Sequence, residues 1–177
     1  EGLLDAGEIV RCSEPAIHDA ASFFANSADS NAFARLNAWL TVVRNRNMYN
    51  SALLLDSSLK VRVAVAPTGD AIGEHALGIV RQATNENRII LSDIHTNIPG
   101  IAHLDLVVPL CTDEGNGSTA VVGAAVVRID AEMYLHPIVR SWPVPSESAE
   151  TLLVRREGDS VLVLNELRHQ KDTALKL

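Results

Sequence analysis

The sequence has little positive charge, few cysteines and no long apolar run. Its 177 residues include 15 Lys and Arg against 22 Asp and Glu, a formal net charge of −7. A nucleic-acid-binding surface needs a clustered basic face. No such cluster occurs, so nucleic acid is not an expected partner. No apolar run approaches the roughly 20 residues of a membrane-spanning helix. The chain shows no signal peptide and begins at Glu1, so we expect a segment excised from a longer protein.

The two cysteines, Cys12 and Cys111, are far apart and form no CxxC pair. They could close one disulfide, or remain as thiols buried like small apolar side chains, which is the commoner state of free cysteine. With 47% hydrophobic and 21% charged residues, the composition is that of a globular protein. The length allows one domain, or one domain with part of a second, and a core that needs no cross-links.

The first fifty residues have the spacing of amphipathic helices. Apolar residues recur there near the helical period, with interruptions at Pro15 and at the polar residues 26–30. Pro15 either kinks one long helix or occupies the first turn of a second. Asp29 or Ser30 can cap the helix that follows. We therefore expect helices before any strand.

After residue 50 the pattern changes to short apolar and alternating runs. The expected strands are 51–56, 60–66, 88–92, 102–111 and 120–129. A helical stripe over 72–83 separates the second strand from the third. Both faces of the last run are largely apolar, which predicts a central strand covered on both sides. Short turns between the strands favour an antiparallel sheet, so the predicted class is α+β.

The C-terminal part contains a helical face near 135–142 and a predicted hairpin, formed by 152–156 and 161–164. The same region carries a recognisable block of residues. The block includes Ser141-Trp142-Pro143, SAETLLVRR (148–156), Leu164-Asn165-Glu166-Leu167-Arg168-His169 and Thr173-Ala174-Leu175. It resembles a block in bacterial membrane sensor histidine kinases, and in related diguanylate cyclases, whose extracytoplasmic part is a double PAS-like (Cache) domain.

This resemblance implies a domain organisation. The implied parts are an N-terminal helical region (1–49), a membrane-distal PAS-like domain with a five-stranded antiparallel sheet (50–140), and a linker with a truncated membrane-proximal PAS-like module (141–177). In such a protein the N-terminal helices would form a homodimer and the parent chain would be anchored in the membrane. This segment would then be periplasmic or extracellular.

The resemblance also implies a function. The segment would bind a small molecule as the sensing part of a transmembrane two-component histidine kinase, and would pass the signal through its helices across the membrane. The alternative is a ligand-free dimerisation or protein-interaction module of a membrane signalling protein such as a diguanylate cyclase. No enzymatic activity and no cofactor are expected of this segment. The sequence has no complete version of the aromatic–Arg–Asp signature with which some Cache domains hold amino acids, so the resemblance does not support an amino-acid ligand.

The concave side of a PAS-like sheet can enclose a small ligand, and three residues are expected at its rim. Ser92, Asp93 and His95 follow a predicted strand and precede a predicted turn. Ser92 and Asp93 could orient an amine or a hydroxyl, and His95 could donate to a carboxylate. The alternative is an ordinary turn in which Asp93 bonds to its own backbone.

Three further residues are candidate ligand contacts. Arg128 lies on a mostly apolar strand face and could clamp a carboxylate with its forked donors. Alternatively, it reaches water or an acid at the end of its strand. Arg62 and Tyr49 are weaker candidates. The expected position of Arg62 on an edge strand, and of Tyr49 at a helix end, accounts for each residue without a ligand.

Metal binding and catalysis have little support in the sequence. His95, His103 and Asp105 form the best set of potential metal ligands, and the period of two places His103 and Asp105 on one strand face. Their spacing matches no zinc signature, so no metal is expected. No Gly-x-Ser-x-Gly elbow occurs. The loop 115–118 lacks the Walker lysine and leads into a strand, not a helix.

Overall fold

The computed structural model describes residues 2–46, 49–67, 72–98, 101–115, 118–131, 133–134, 151–165, 167 and 173. The helices are α1 (Gly2–Arg11), α2 (Glu14–Ala25), α3 (Ser30–Arg46) and α4 (Glu74–Glu86). The strands are β1 (Ser51–Asp56), β2 (Val61–Val65), β3 (Ile90–Leu91), β4 (His95–Ile98), β5 (Ile101–Asp113), β6 (Thr119–Asp130), β7 (Val154–Glu157) and β8 (Ser160–Val163). None of the helices described is long and apolar enough to cross a membrane.

The N-terminal region forms separate helices, not one kinked helix. Pro15 lies in the first turn of α2, where its fixed φ and missing N–H are tolerated. The helix α3 begins after Asp29, whose Oδ1 accepts the backbone N–H groups of Asn31 and Ala32 at 3.1 and 2.9 Å. This side chain satisfies donors that the first turn of a helix leaves open. Asp29, not Ser30, is therefore the capping residue.

The main sheet has the strand order β2-β1-β6-β5-β3. The strand β1 pairs antiparallel with both β2 and β6, and β3 pairs antiparallel with β5. The strand β6 lies at the centre of this order, as its two apolar faces predict. The expected α+β class, with N-terminal helices followed by an antiparallel sheet, is confirmed, and the five predicted strands form this main path.

Helices cover both faces of the sheet. On the first, Val80 and Ala83 of α4 pack on a buried apolar cluster contributed by β1, β5 and β6: Leu53, Leu55, Val107, Ala124 and Val126. Because side chains alternate along a strand, Leu106 and Val127 point to the opposite face, where they meet residues of α1 and α3. We call these surfaces the α4 face and the α1–α3 face.

The chain divides into two compact units. Unit 1 comprises Glu1–Ser92 and Asp105–Arg128, and unit 2 comprises Asp93–Leu104 and Ile129–Leu177. Unit 1 contains α1 to α4, β1 to β3 and most of β5 and β6. In unit 2, β4 pairs antiparallel with the first residues of β5, and β7 pairs antiparallel with β8.

At β4 the structure differs from the prediction made from the sequence. The sequence predicts a loop and a turn between residues 92 and 100, whereas His95–Ile98 forms a strand. This strand is short and begins with three polar residues, so it lacks the alternating apolar signal that predicts a strand. The hairpin predicted from 152–156 and 161–164 is present as β7 and β8. The helix predicted near 135–142 lies outside the described residues.

The cysteines are both free thiols. Cys12 is exposed, so the expectation that both thiols are buried is wrong for this residue. Cys111 is half-buried and donates to Asn87 Oδ1 at 3.0 Å. Burial raises the pKa of the Cys111 thiol, which keeps it protonated at neutral pH. Of the two alternatives that the sequence leaves open, the disulfide is therefore excluded.

Candidate functional site

A buried ion pair occupies the α4 face of unit 1. Arg128 on β6 and Asp105 on β5 are 1% and 0% exposed. The Arg128 Nε donates to Asp105 Oδ1 at 3.0 Å, and Nη2 donates to Asp105 Oδ2 at 3.3 Å. Arg128 shares this face with Val126, two residues before it on the strand. The guanidinium therefore adjoins the apolar cluster beneath α4 and pairs with an acid, which is one of the alternatives that the sequence leaves open for Arg128.

Two serines accompany this pair. Ser92 is buried, and its Oγ accepts the Asp105 backbone N–H at 2.8 Å. The Ser92 N–H donates in turn to the Asp105 carbonyl oxygen at 2.9 Å, so Ser92 holds the backbone that carries the carboxylate. Ser51 on β1 lies directly opposite Arg128 in the β1–β6 register and is 0% exposed. Its Oγ has no hydrogen-bond partner among the residues that the structure describes. We call Ser51, Ser92, Asp105 and Arg128 the polar cluster.

Such a cluster is expensive in a hydrophobic core. Removing two charges from water carries a large desolvation penalty, and well-packed apolar residues in their place are often as stable or more stable. A buried hydroxyl without a partner adds a further unfavourable term. Buried polar groups that converge within an apolar surround are, on the other hand, the usual composition of a small-molecule site. The polar cluster is therefore the candidate functional site.

A cavity lies on the opposite, α1–α3 face of unit 1. Its volume is about 100 Å³, and it is lined by residues of α1, α3, β5 and β6 together with Tyr49: Ala6, Ile9, Val10, Trp39, Val42, Val43, Arg46, Leu106 and Val127. The lining is mostly apolar, with Arg46 and Tyr49 as its polar members. Tyr49 thus contacts a cavity, as a ligand contact should, but on the face of the sheet opposite to Arg128.

Arg62 is held elsewhere in unit 1. Its Nη1 donates to Asp56 Oδ2 at 2.8 Å, and its Nη2 donates to Ser27 Oγ. The guanidinium also lies over the rings of Phe23 and Phe24, at 5.4 and 5.8 Å from their centroids. Arg62 therefore joins β2 to α2 through an ion pair and cation–π contacts. The structure does not bring it to the polar cluster.

Asp93 and His95 belong to unit 2. Asp93 is exposed, and its backbone carbonyl oxygen lies 2.9 Å from His95 Nδ1. His95 is half-buried on β4, directly opposite His103 on β5. Of the six predicted ligand residues, the structure therefore groups Ser92 and Arg128 through Asp105. Tyr49 and Arg62 occupy other parts of unit 1, and Asp93 and His95 lie in unit 2.

No protein-family model matches the sequence, and no curated protein matches it. Solved structures are similar in fold. The ligand-binding domain of the Campylobacter jejuni chemoreceptor Tlp3 in complex with L-norvaline superposes with a TM-score of 0.53 at 12% identity, over 78% of this chain and 58% of that domain. The extracellular domain of the candidate histidine kinase vpHK1S-Z8 gives 0.51 at 16% identity, over 77% of this chain and 55% of that domain.

The chain has a sensor-domain fold. This result confirms, for the fold, the resemblance to PAS-like (Cache) sensors in the sequence. The chain spans less than two thirds of either domain that it matches. A second Tlp3 complex, with 4-methylisoleucine, agrees at a TM-score of 0.51 and 14% identity, over 80% of this chain and 59% of that domain.

Sequence reasoning missed two members of the polar cluster in this sensor-domain fold. In the sequence, Asp105 appears only in a set of potential metal ligands for which no metal is expected, although an acid in an apolar strand next to a strand containing a buried arginine predicts an ion pair. The signal was therefore present, because β5 and β6 are neighbouring strands. Ser51 offered no signal, since serine at the start of a strand is ordinary. Its importance comes from the register that places it opposite Arg128.

Proposed function

We propose that this chain is the extracytoplasmic ligand-sensing part of a transmembrane signalling protein, and that the polar cluster binds a small zwitterion of the amino-acid class. The observation that carries the proposal is the buried Arg128–Asp105 pair with an unsatisfied Ser51 hydroxyl beside it. The ligands named for the similar Tlp3 structures, L-norvaline and 4-methylisoleucine, support the same ligand class.

The charges of the pair match a zwitterion. A ligand carboxylate can take the forked donors of Arg128, and a ligand ammonium can take the oxygens of Asp105. Both buried charges then keep a partner, so the site remains neutral. A simple carboxylate or a simple amine would satisfy one member and leave the other buried without its counter-charge, which is strongly unfavourable. The Ser51 hydroxyl supplies one further hydrogen bond.

The proposed signal is a change in the arrangement of helices. A ligand shifts an equilibrium between two arrangements only if it binds them with different affinities. Ligand that separates Arg128 from Asp105 would alter the contact of β6 with β5, and α1 to α3 lie in the same unit. In this proposal the parent chain is a membrane-anchored histidine kinase, and the helices pair in a homodimer. A chemoreceptor or a diguanylate cyclase would use the same sensing step.

Calorimetric titration of this segment tests the ligand class. We expect saturable binding of at least one aliphatic L-amino acid, and no binding of the corresponding carboxylic acid without the amine or of the amine without the carboxylate. Ser51→Ala should weaken binding without lowering the thermal unfolding midpoint, because the hydroxyl has no described partner to lose. Thr41→Ala serves as the matched control, since that hydroxyl bonds within α3. No binding by any zwitterion in the panel would refute the proposal.

A specific observation favours the second candidate, a ligand-free dimerisation module. Four large apolar residues are exposed on α1 and α3: Leu4, Ile9, Phe33 and Val42. Ile9 and Val42 are 55% and 64% exposed and both line the cavity of the α1–α3 face. This candidate predicts a dimer that forms without ligand and is lost in Ile9→Lys or Val42→Lys. Analytical ultracentrifugation measures it, with Leu91→Lys on β3 as the control.

A further inference from the structure

A pair of histidines in unit 2 is not used by the proposed ligand site. His95 on β4 and His103 on β5 face each other in the antiparallel register. Their rings make an edge contact, with centroids 4.4 Å apart and planes inclined at 65°. His103 is 1% exposed and His95 is half-buried, and the Nε2 atoms of both rings are buried.

The surroundings of His95 select one of its ring nitrogens for coordination. The Nδ1 atom lies 2.9 Å from the backbone carbonyl oxygen of Asp93. A carbonyl oxygen can only accept, so Nδ1 carries the hydrogen in this contact and Nε2 carries the lone pair. A backbone carbonyl that fixes the tautomer in this way is the usual outer partner of a metal-binding histidine.

The distance between the rings is suitable for a shared ion. One ring nitrogen of His95 and one of His103 lie within 4.8 Å of each other. Two nitrogens bound to one tetrahedral zinc ion at about 2.0–2.1 Å lie about 3.4 Å apart. Binding of one ion by both rings therefore needs a side-chain rotation that brings the two nitrogens closer together.

We propose that His95 and His103 bind a divalent first-row transition-metal ion through ring nitrogens that are buried. Neutral imidazole suits zinc, copper and nickel, whereas magnesium and calcium select oxygen ligands. For an imidazole site the expected order of affinity is copper above nickel and zinc. The spacing of these residues predicts no metal, because no common signature places histidines eight residues apart. The β4–β5 register brings them together regardless of that spacing.

The test is titration of the tag-free protein, stripped with EDTA and dialysed, with ZnCl2, NiCl2 and CuCl2. We expect one ion per chain, and a copper electron paramagnetic resonance spectrum with coupling to imidazole nitrogen. His95→Gln should weaken binding by at least about tenfold and remove this coupling. His18→Gln, on the exposed side of α2, should change neither result. His75→Gln, His136→Gln and His169→Gln complete the set of controls, because the chain has six histidines.

His95→Gln is the decisive variant, because replacing the buried His103 could also impair folding. Equal affinity in the wild type and in His95→Gln would overturn the proposal. The proposal would also be overturned if far less than one ion bound per chain. It would likewise be overturned if the copper coupling persisted in His95→Gln and disappeared in one of the control variants. The ligand-binding proposal is unaffected by any of these results, because amino-acid binding is measured separately in EDTA.

Discussion

The two faces of the main sheet in unit 1 differ in what they bury. The α4 face includes charged groups in its interior, with Arg128 and Asp105 in contact at 3.0 Å. The α1–α3 face has almost no charge in its interior and leaves a cavity of about 100 Å³. Apolar packing alone would favour the reverse, because charges are better placed near open, hydrated space. The polar cluster is therefore better explained by recognition than by stability.

A surface ion pair sharpens this contrast. Arg35 and Asp19 form the same two-pronged contact, at 2.8 and 2.6 Å, between α3 and α2. The hydrogen bond from Arg35 lowers the pKa of Asp19. The Arg35 side chain is 57% exposed, so solvent screens the interaction and either partner can be lost with little effect. Loss of one partner from the same two-pronged contact in the interior, between Arg128 and Asp105, should lower stability far more.

The largest expected effect comes from breaking the buried pair. Arg128→Met leaves Asp105 as a buried charge without its partner, so unfolding in urea should show a loss of about 3–5 kcal/mol. The double variant Arg128→Met/Asp105→Leu should recover most of this loss while abolishing ligand binding. Arg35→Met, the surface control, should unfold almost as the wild type does. If Arg128→Met is as stable as that control, the pair does not have the buried character assigned to it.

The next effect concerns the packing of β6 on the α1–α3 face. A Cβ atom at Gly123 would lie 2.2 Å from the Leu55 carbonyl oxygen and 2.9 Å from Phe24 Cε2. Because backbone cannot easily move away, Gly123→Ala should destabilise the protein by about 3 kcal/mol. Gly78→Ala in α4 meets no atom within 4 Å and should stabilise by about 0.5–1 kcal/mol. Thermal unfolding of both variants measures the difference, and two equal shifts would contradict it.

A smaller effect appears as pH dependence at the edge of the sheet. Burial of Asp56 opposes its ionisation, but hydrogen bonds from Arg62 and from the N–H groups of Lys60 and Ser58 outweigh this and lower its pKa. The folded chain then binds fewer protons than the unfolded chain. This stabilisation is complete above the unfolded pKa of about 3.9 and is lost as the pH falls through the folded value.

Asp56→Asn keeps an acceptor for the turn but cannot titrate. Its free energy of unfolding should therefore depend less on pH than that of the wild type when the pH falls below about 4. Urea unfolding at a series of pH values measures the two slopes. Identical slopes for both proteins would show that Asp56 does not have the lowered pKa described above.

The smallest expected change in unfolding free energy concerns the cavity on the α1–α3 face. Val10 is buried and lines the cavity, so Val10→Ile can place its added methylene there and stabilise by up to about 0.8 kcal/mol. Val126→Ile makes the same change in the buried apolar cluster of the α4 face, where Val126 is 0% exposed and overpacking should destabilise by about 1–3 kcal/mol. Shifts of opposite sign in the free energy of unfolding would support the contrast between the two faces. Shifts of the same sign in both variants would contradict this contrast.

Much of this fold is predictable from local pattern, and the site only in part. Alternation places β6 at the centre, because this signal acts within a few residues. Pro15 marks an interruption of the helices but leaves open whether one helix kinks or two form, and the structure shows two. The strand β4 is not predictable in this way, because its pairing with β5 and not its own polarity makes it a strand. Arg128 is identifiable as an unusual charge on an apolar face. Its partners, Asp105 and Ser51, are set by register between distant segments.

The most direct test of the central claim records which face responds to ligand. In a proton–nitrogen correlation spectrum, the Arg128 Nε–H group reports on the α4 face and the Trp39 indole N–H group reports on the α1–α3 cavity. With a saturating zwitterionic amino acid, we predict a large shift at Arg128 Nε–H and little change at Arg62 Nε–H. A shift at Trp39 with Arg128 unchanged would place the ligand in the helical cavity and contradict the account.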